Sequence, residues 1–175
     1  MKKRMIVTIL IVLCMMLAAC SPAKSDTTNF TLGDDVDLDA DDIAARMAAA
    51  IGGQGTYMEA ADDVYDFYFG QSEAYPLVDD ICMMFARKEA DVGEFGVFEA
   101  EREQDVPLVR DMVQKYFDDR TEGLRALAAN YSPKDLQKID NAGIEVYGRY
   151  VVYYILDEAD KTAALDAVED TLRAK

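Results

Sequence analysis

Chemistry in this chain of 175 residues has to come from three cysteines, thirty-four carboxylates and ten tyrosines, because it contains no histidine. That absence removes the usual general base near neutral pH, the commonest zinc ligand and every Ser-His or Cys-His pairing. Cys82 sits inside the apolar run Ile81 to Ala86, where a thiol is an inert core residue more often than a nucleophile. Asp34, Asp35, Asp37, Asp39, Asp41 and Asp42 superficially resemble a calcium loop. A calcium loop beginning at Asp35 would require Gly at position 40 and Glu at position 46, where the chain has Ala40 and Arg46. The stretch therefore reads as a solvated tether running into a capped helix. Gly52-Gly53-Gln54-Gly55 follows a helical pattern and lacks the Lys-Ser/Thr of a phosphate loop, so it reads as a helix stop. Paired carboxylates can hydrolyse glycosides, but among so many acids no pair stands out. No catalytic residue, metal ligand or cofactor is assigned. Tyr147, Arg149, Tyr150 and Tyr153, with Tyr154 beside them, are the candidate contact surface for sugar or peptide; the competing reading of such a strand is plain core.

The most specific chemistry lies near the start. Lys2, Lys3 and Arg4 precede an apolar run from Met5 to Ala19 that only Thr8 interrupts, the pattern of a secretory signal. About 15 residues at 1.5 Å each give roughly 22 Å, too short for a hydrocarbon core of about 30 Å. The run ends in Leu17-Ala18-Ala19-Cys20, an aliphatic residue, two small ones and a cysteine. Small side chains admit a peptidase to the bond before Cys20, and its thiol accepts a diacylglycerol. This lipobox resembles that of bacterial lipoproteins, and the resemblance implies a thioether lipid and often N-acylation on Cys20. Stable anchoring takes at least two acyl chains, at about 0.8 kcal/mol per buried CH₂.

Three regions follow: residues 1–19 as signal peptide, 20–37 as lipidated Cys20 with a flexible acidic tether, and 38–175 as one domain. Cys14 leaves with the signal and Cys20 carries lipid, so Cys82 remains alone and no intramolecular disulfide is expected. Loss of three basic residues takes the net charge from −16 to −19. So acidic a chain is a poor partner for nucleic acid or for anionic lipid headgroups; the lipid would hold the domain to a membrane that otherwise repels it.

The elements that must position any site can be read from periodicity. Ile43, Met47 and Ile51 recur at four-residue intervals behind a capping Asp39, and a second helix is expected from about Thr56 to Phe69. Ile81 to Ala86 and Glu94 to Ala100 have strand length. A long helix carries Val106, Val109, Met112, Val113, Tyr116, Phe117, Leu124, Leu127 and Tyr131, with Pro107 in its first turn. Ile144 to Tyr147 and Tyr150 to Leu156 flank Gly148-Arg149 as a hairpin, the second strand apolar on both faces and hence central and covered on both sides. An amphipathic helix from Asp157 to Arg173 closes the chain. The order α-α-β-β-α-β-β-α predicts an α+β domain, an antiparallel sheet of about four strands packed with helices.

In the second half, Glu94-Phe95-Gly96-Val97-Phe98, the long helix into Asn130-Tyr131-Ser132-Pro133, and Glu145-Val146-Tyr147-Gly148-Arg149-Tyr150-Val151 occur in order. Over roughly residues 40–160 the chain resembles the domain of unknown function 4358 family of small Gram-positive, clostridial-type lipoproteins. Where the family pattern has a Gly-Asn-Tyr turn, this chain has Gly148-Arg149-Tyr150. The resemblance implies an exported lipoprotein with no assigned activity and contributes no catalytic residue. The expectation is a non-enzymatic interaction module, lipid-anchored on the outer face of the cell membrane, with an envelope protein as its partner. Its rivals are a carboxylate-dependent envelope glycan hydrolase and a small solute-binding accessory lipoprotein.

Overall fold

A computed structural model of the chain describes residues 38–52, 55–88 and 91–173; the signal segment, the lipobox with Cys20 and the tether lie outside the described residues. Helix α1 (Ala40–Ala50) leads to a short strand β1 (Tyr57–Glu59), helix α2 (Asp62–Phe69) and strands β2 (Val78–Ala86) and β3 (Glu94–Ala100). Helix α3 (Val106–Tyr131) and the one-turn-plus α4 (Leu136–Asp140) come next, then the β4 (Gly143–Tyr147) and β5 (Tyr150–Ile155) hairpin and the closing helix α5 (Glu158–Leu172). All strand pairings are antiparallel, in the order β1-β2-β3-β5-β4. The α+β sandwich is the one the patterning predicts, with one strand more.

That extra strand is β1, which falls where a helix is expected to begin. Tyr57 is buried on the α1 side of the sheet, edge-on to Phe95 at 5.1 Å, whereas Tyr65 and Phe69 bury on the opposite side. A continuous helix over 56–69 could not reach both faces. The chain instead pairs Tyr57 with Ala86 on the sheet edge and starts α2 only after an extended Ala61.

Strand alternation sorts the core into two layers. Phe95 and Val97 of β3, with Tyr150, Val152 and Tyr154 of β5, meet Ile43 and Met47 of α1 and Ala164 and Val168 of α5. Phe98, Val151 and Tyr153 point the other way, toward Val109, Val113 and Tyr116 of α3 and Phe69 of α2. β3 and β5 are buried along their whole lengths, consistent with helices on both sides. Gly148 holds the β4–β5 turn with φ 58°, the left-handed region that primed hairpin turns demand.

One helix start departs from expectation. Asp39 occupies the N-cap of α1 without a side-chain hydrogen bond; the Ala40 N–H donates instead to the Asp80 carboxylate of β2 at 2.8 Å. A strand residue forty positions away thereby satisfies a donor that the local sequence leaves open.

Candidate functional site

Of the buried carboxylates among the described residues, Glu94, at the start of the central strand β3, is fully buried. Burying an ion is costly unless it is paired and hydrogen-bonded. α3 supplies both needs: Tyr116 and Arg120, one turn apart, both reach it. The Tyr116 hydroxyl donates to Glu94 Oε1 at 2.9 Å, and Arg120 Nε donates to Oε2 at 2.7 Å, with a second guanidinium nitrogen at 2.5 Å. Tyr153 of β5 adds a longer contact of 3.5 Å to Oε1. Burial and the neighbouring Glu94 charge push the Tyr116 and Tyr153 hydroxyls upward, so both remain protonated donors. Burial would depress the Arg120 guanidinium, but its hydrogen bond and charge contact with Glu94 outweigh that and raise it.

Backbone shape serves the same cluster. A side chain at Gly96 would place its Cβ 2.4 Å from the Tyr153 ring, so glycine is what lets that ring lie across β3. Tyr116 stacks edge-on to Tyr153 at 5.5 Å and to Tyr68 at 4.9 Å, while Phe69 meets Phe98 at 5.2 Å. Arg120 also lies 6.0 Å from the Phe85 ring centre. Both carboxylate oxygens of Glu94 are thus occupied, and the cluster fastens α3 to the middle of the sheet.

Above this floor α3 borders two adjoining hollows. One, of about 640 Å³, is walled by Tyr68 and Phe69 of α2 opposite Met112 and Tyr116. The other, of about 540 Å³, lies against Val92 and Ala128, with Lys88 and Lys134 in its lining. They share Arg120, Leu124 and Leu127, so together they form one trough along α3. Its walls are not fully covered: Leu127 is 54 % exposed and Tyr68 42 %. Pockets of some 300–1,000 Å³ with mostly apolar walls and a few polar groups are the usual form of a binding site.

The sequence-derived contact residues lie elsewhere. Tyr150 and Tyr153 are turned inward, each at 0 % exposure, because β5 is an interior strand with helices on both sides, and Tyr147, at the end of edge strand β4, is buried in the core on the α1 and α5 side. Their rings are core, and they present no tyrosine-lined outer surface. The Tyr150 hydroxyl instead donates to the Leu38 carbonyl at 2.8 Å, tying the start of the described chain to the sheet. Arg149, on the turn, forms an ion pair with buried Glu99 and lies 3.8 Å from Asp79. Cys82 is buried, as its apolar run suggests, and burial followed by a hydrogen bond to Asp41 pushes its thiol up. Cys20, Leu17, Ala18 and Ala19 lie outside the described residues.

Among the described residues, two acidic groups bring their ligand atoms within 4.8 Å of one another: Asp41, Glu59 and Cys82, and Asp39, Asp80 and Glu99. In the second group Asp80 caps α1 and Glu99 pairs with Arg149.

The Glu94–Arg120 pair was partly visible in the sequence. The apolar stripe of α3 breaks between Phe117 and Leu124, and Arg120 stands one turn after Tyr116 and one before Leu124. A cation in register with a core stripe needs an inward anion, and Glu94 opening an otherwise apolar strand is its natural partner. Leu127 reads as core by the same periodicity, five full turns after buried Val109 on the same line of α3, yet it is exposed because it lines the open trough.

No curated protein and no solved structure gives a significant match to the chain. The match to a family is narrower than the stretch of resemblance seen in the motifs: it runs from the turn before β2 through the end of β5, so it contains Glu94, Tyr116, Arg120 and Tyr153 but neither α1 nor α5. Over residues 75–156 the chain matches the family described as a domain of unknown function (DUF4358), the family that its Glu94–Phe98 and Glu145–Val151 motifs resemble.

Proposed function

We propose that this is a membrane-anchored extracytoplasmic lipoprotein whose domain works as a non-enzymatic binding module of the cell envelope, with the trough along α3 as its contact surface. The trough carries this reading: among the described residues it is an open, largely apolar hollow with Tyr68 and Leu127 exposed in its lining. Contiguous exposed apolar surface of this kind marks interaction sites. The lipobox ending in Cys20 supports the anchor, since none of the described helices is long and apolar enough to cross a membrane. The acids at the trough are engaged in structural contacts: Asp119 with Lys115, Asp91 with Lys138 and Asp135 with Ser132. That weighs against a hydrolase built on two free carboxylates.

Crosslinking of the full chain in intact cells tests the proposal, with Cys20→Ala as the mislocalised form and Leu127→Asp as the form with a charged trough. One discrete product is expected from the unaltered chain and from neither variant. A product that survives Leu127→Asp unchanged removes the trough from the reading; one that survives Cys20→Ala removes the anchor.

A further inference from the structure

We infer that the occupant of the trough is a helix of about four turns from a partner protein, apolar along one stripe and acidic at the end that meets Lys88 and Lys134. This rests on the binding-module reading and gives it a ligand of defined chemistry. Three independent observations carry it.

The first is Gly123. It stands exposed in the middle of a 26-residue helix, in the wall of the trough, and a Cβ built on it would meet nothing within 4 Å. Glycine is the poorest helix former after proline, and nothing among the described residues requires it here. A small residue on a helix flank does permit a second backbone to approach closely.

Length is the second. The trough runs along α3 from Met112 to Ala128, which at 1.5 Å per residue is about 24 Å. A compact small molecule would leave most of that empty, whereas an amphipathic helix laid in a groove anchors through side chains spaced over just such a span.

Third comes charge. The chain as a whole carries −16, and of the four cations lining the trough Lys115 and Arg120 pair with Asp119 and Glu94, which leaves Lys88 and Lys134 as its cationic end, beside Asp91 paired with Lys138 and Asp135 hydrogen-bonded by Ser132. Lys88 and Lys134 are exposed at one end. A second copy of so acidic a chain would be repelled over most of its surface, while an acidic segment is drawn to this one strip.

The test uses the full lipidated chain in nanodiscs of neutral lipid and two fluorescent sixteen-residue helical peptides. The peptides share one leucine stripe; one is flanked by glutamates, the other by lysines. Global charge favours the lysine peptide, so the expected result is sharp: by anisotropy the glutamate peptide binds about tenfold tighter or more, and Lys88→Glu with Lys134→Glu erases that preference. Gly123→Leu, which fills the approach without touching the core, is expected to weaken the glutamate peptide by at least about tenfold while leaving the melting temperature equal or higher. Equal or tighter binding of the lysine peptide overturns the inference, as does a Gly123→Leu chain that binds normally. If Gly123→Leu abolishes the cellular crosslink while the glutamate peptide shows no advantage, the trough remains the contact surface and only the acidic helix is wrong. If neither the crosslink nor either peptide responds to Gly123→Leu, both readings fall.

Discussion

The two faces of the sheet are closed by different means. Against the first, α1 and α5 lay alanines and aliphatic side chains, with Ala40, Ile43, Ala44, Met47, Ala164 and Val168 all at 0 % exposure, and the buried Glu99 on that side pairs with Arg149 of the β4–β5 turn instead of a helix residue. Against the second, α3 brings Val109 and Val113 but also Tyr116 and Arg120, and it meets a buried carboxylate. The first interface ends where its apolar surface ends. The second leaves a trough with Leu127 and Tyr68 still in contact with water. Apolar packing is enough to hold a helix on a sheet; fixing α3 at one height and angle, so that a hollow stays open beside it, is the work we ascribe to the Glu94 cluster.

If that division holds, damage to the two faces should differ in kind. The largest effect is expected from Arg120→Ala, which leaves Glu94 buried and unpaired and should cost about 3–5 kcal/mol in chemical denaturation. Replacing both partners with apolar residues, Glu94→Leu with Arg120→Met, should recover much of that loss, because the penalty belongs to the orphaned charge. On the opposite face, Met47→Ala opens a cavity and should cost about 2–5 kcal/mol, with no change in binding at the trough. Loss of ligand binding in Met47→Ala at temperatures where it is folded would mean that the two faces are coupled.

Tyr116→Phe comes next. It removes one donor to a charged acceptor and should cost about 1.5–3 kcal/mol, less than Arg120→Ala because the guanidinium still neutralises the carboxylate. Gly123→Ala should do the reverse, stabilising by about 0.5–1 kcal/mol, since the added methyl enters open space. A loss of stability there would place an unseen neighbour at that helix flank.

The smallest effect appears only in acid. Burial acts to raise the Asp91 carboxyl, but hydrogen bonds from Lys138 and the Gly93 N–H, with the Lys138 charge, outweigh it and hold the group below its ordinary value. A depressed carboxylate contributes stability above its unfolded pKa of about 3.9 and loses it as pH falls through the folded value. The unaltered chain should therefore destabilise more steeply than Asp91→Asn below about pH 4, and the two curves should run parallel above that.

How much of this was legible beforehand follows from which signals are local. Helices α1, α3 and α5 and the β4–β5 hairpin announce themselves through three- and four-residue spacing and Gly148, because each buries its own stripe. β1 does not: three residues carry no period, and only the depth of Tyr57 on one face and Tyr65 on the other reveals the break. The burial of β5 was legible in its apolar residues on both faces, and a strand so covered has no outer side on which Tyr150 or Tyr153 could emerge, which decides for core over a contact surface. Arg120 broke a visible stripe, but its partner Glu94 lies 26 residues earlier, and only the pairing of α3 against β3 brings them together. The trough is less legible still, being bounded by α2, α3 and the β2–β3 connection together, so that no single segment encodes it.

The most direct measurement places a photo-crosslinking amino acid at Leu127, in the trough, or at Arg46, exposed on α1, in the full chain expressed in intact cells. A discrete crosslinked product from position 127 and none from position 46 is the predicted result. A product from position 46 with none from position 127 would contradict it and move the contact surface to the opposite face of the sheet.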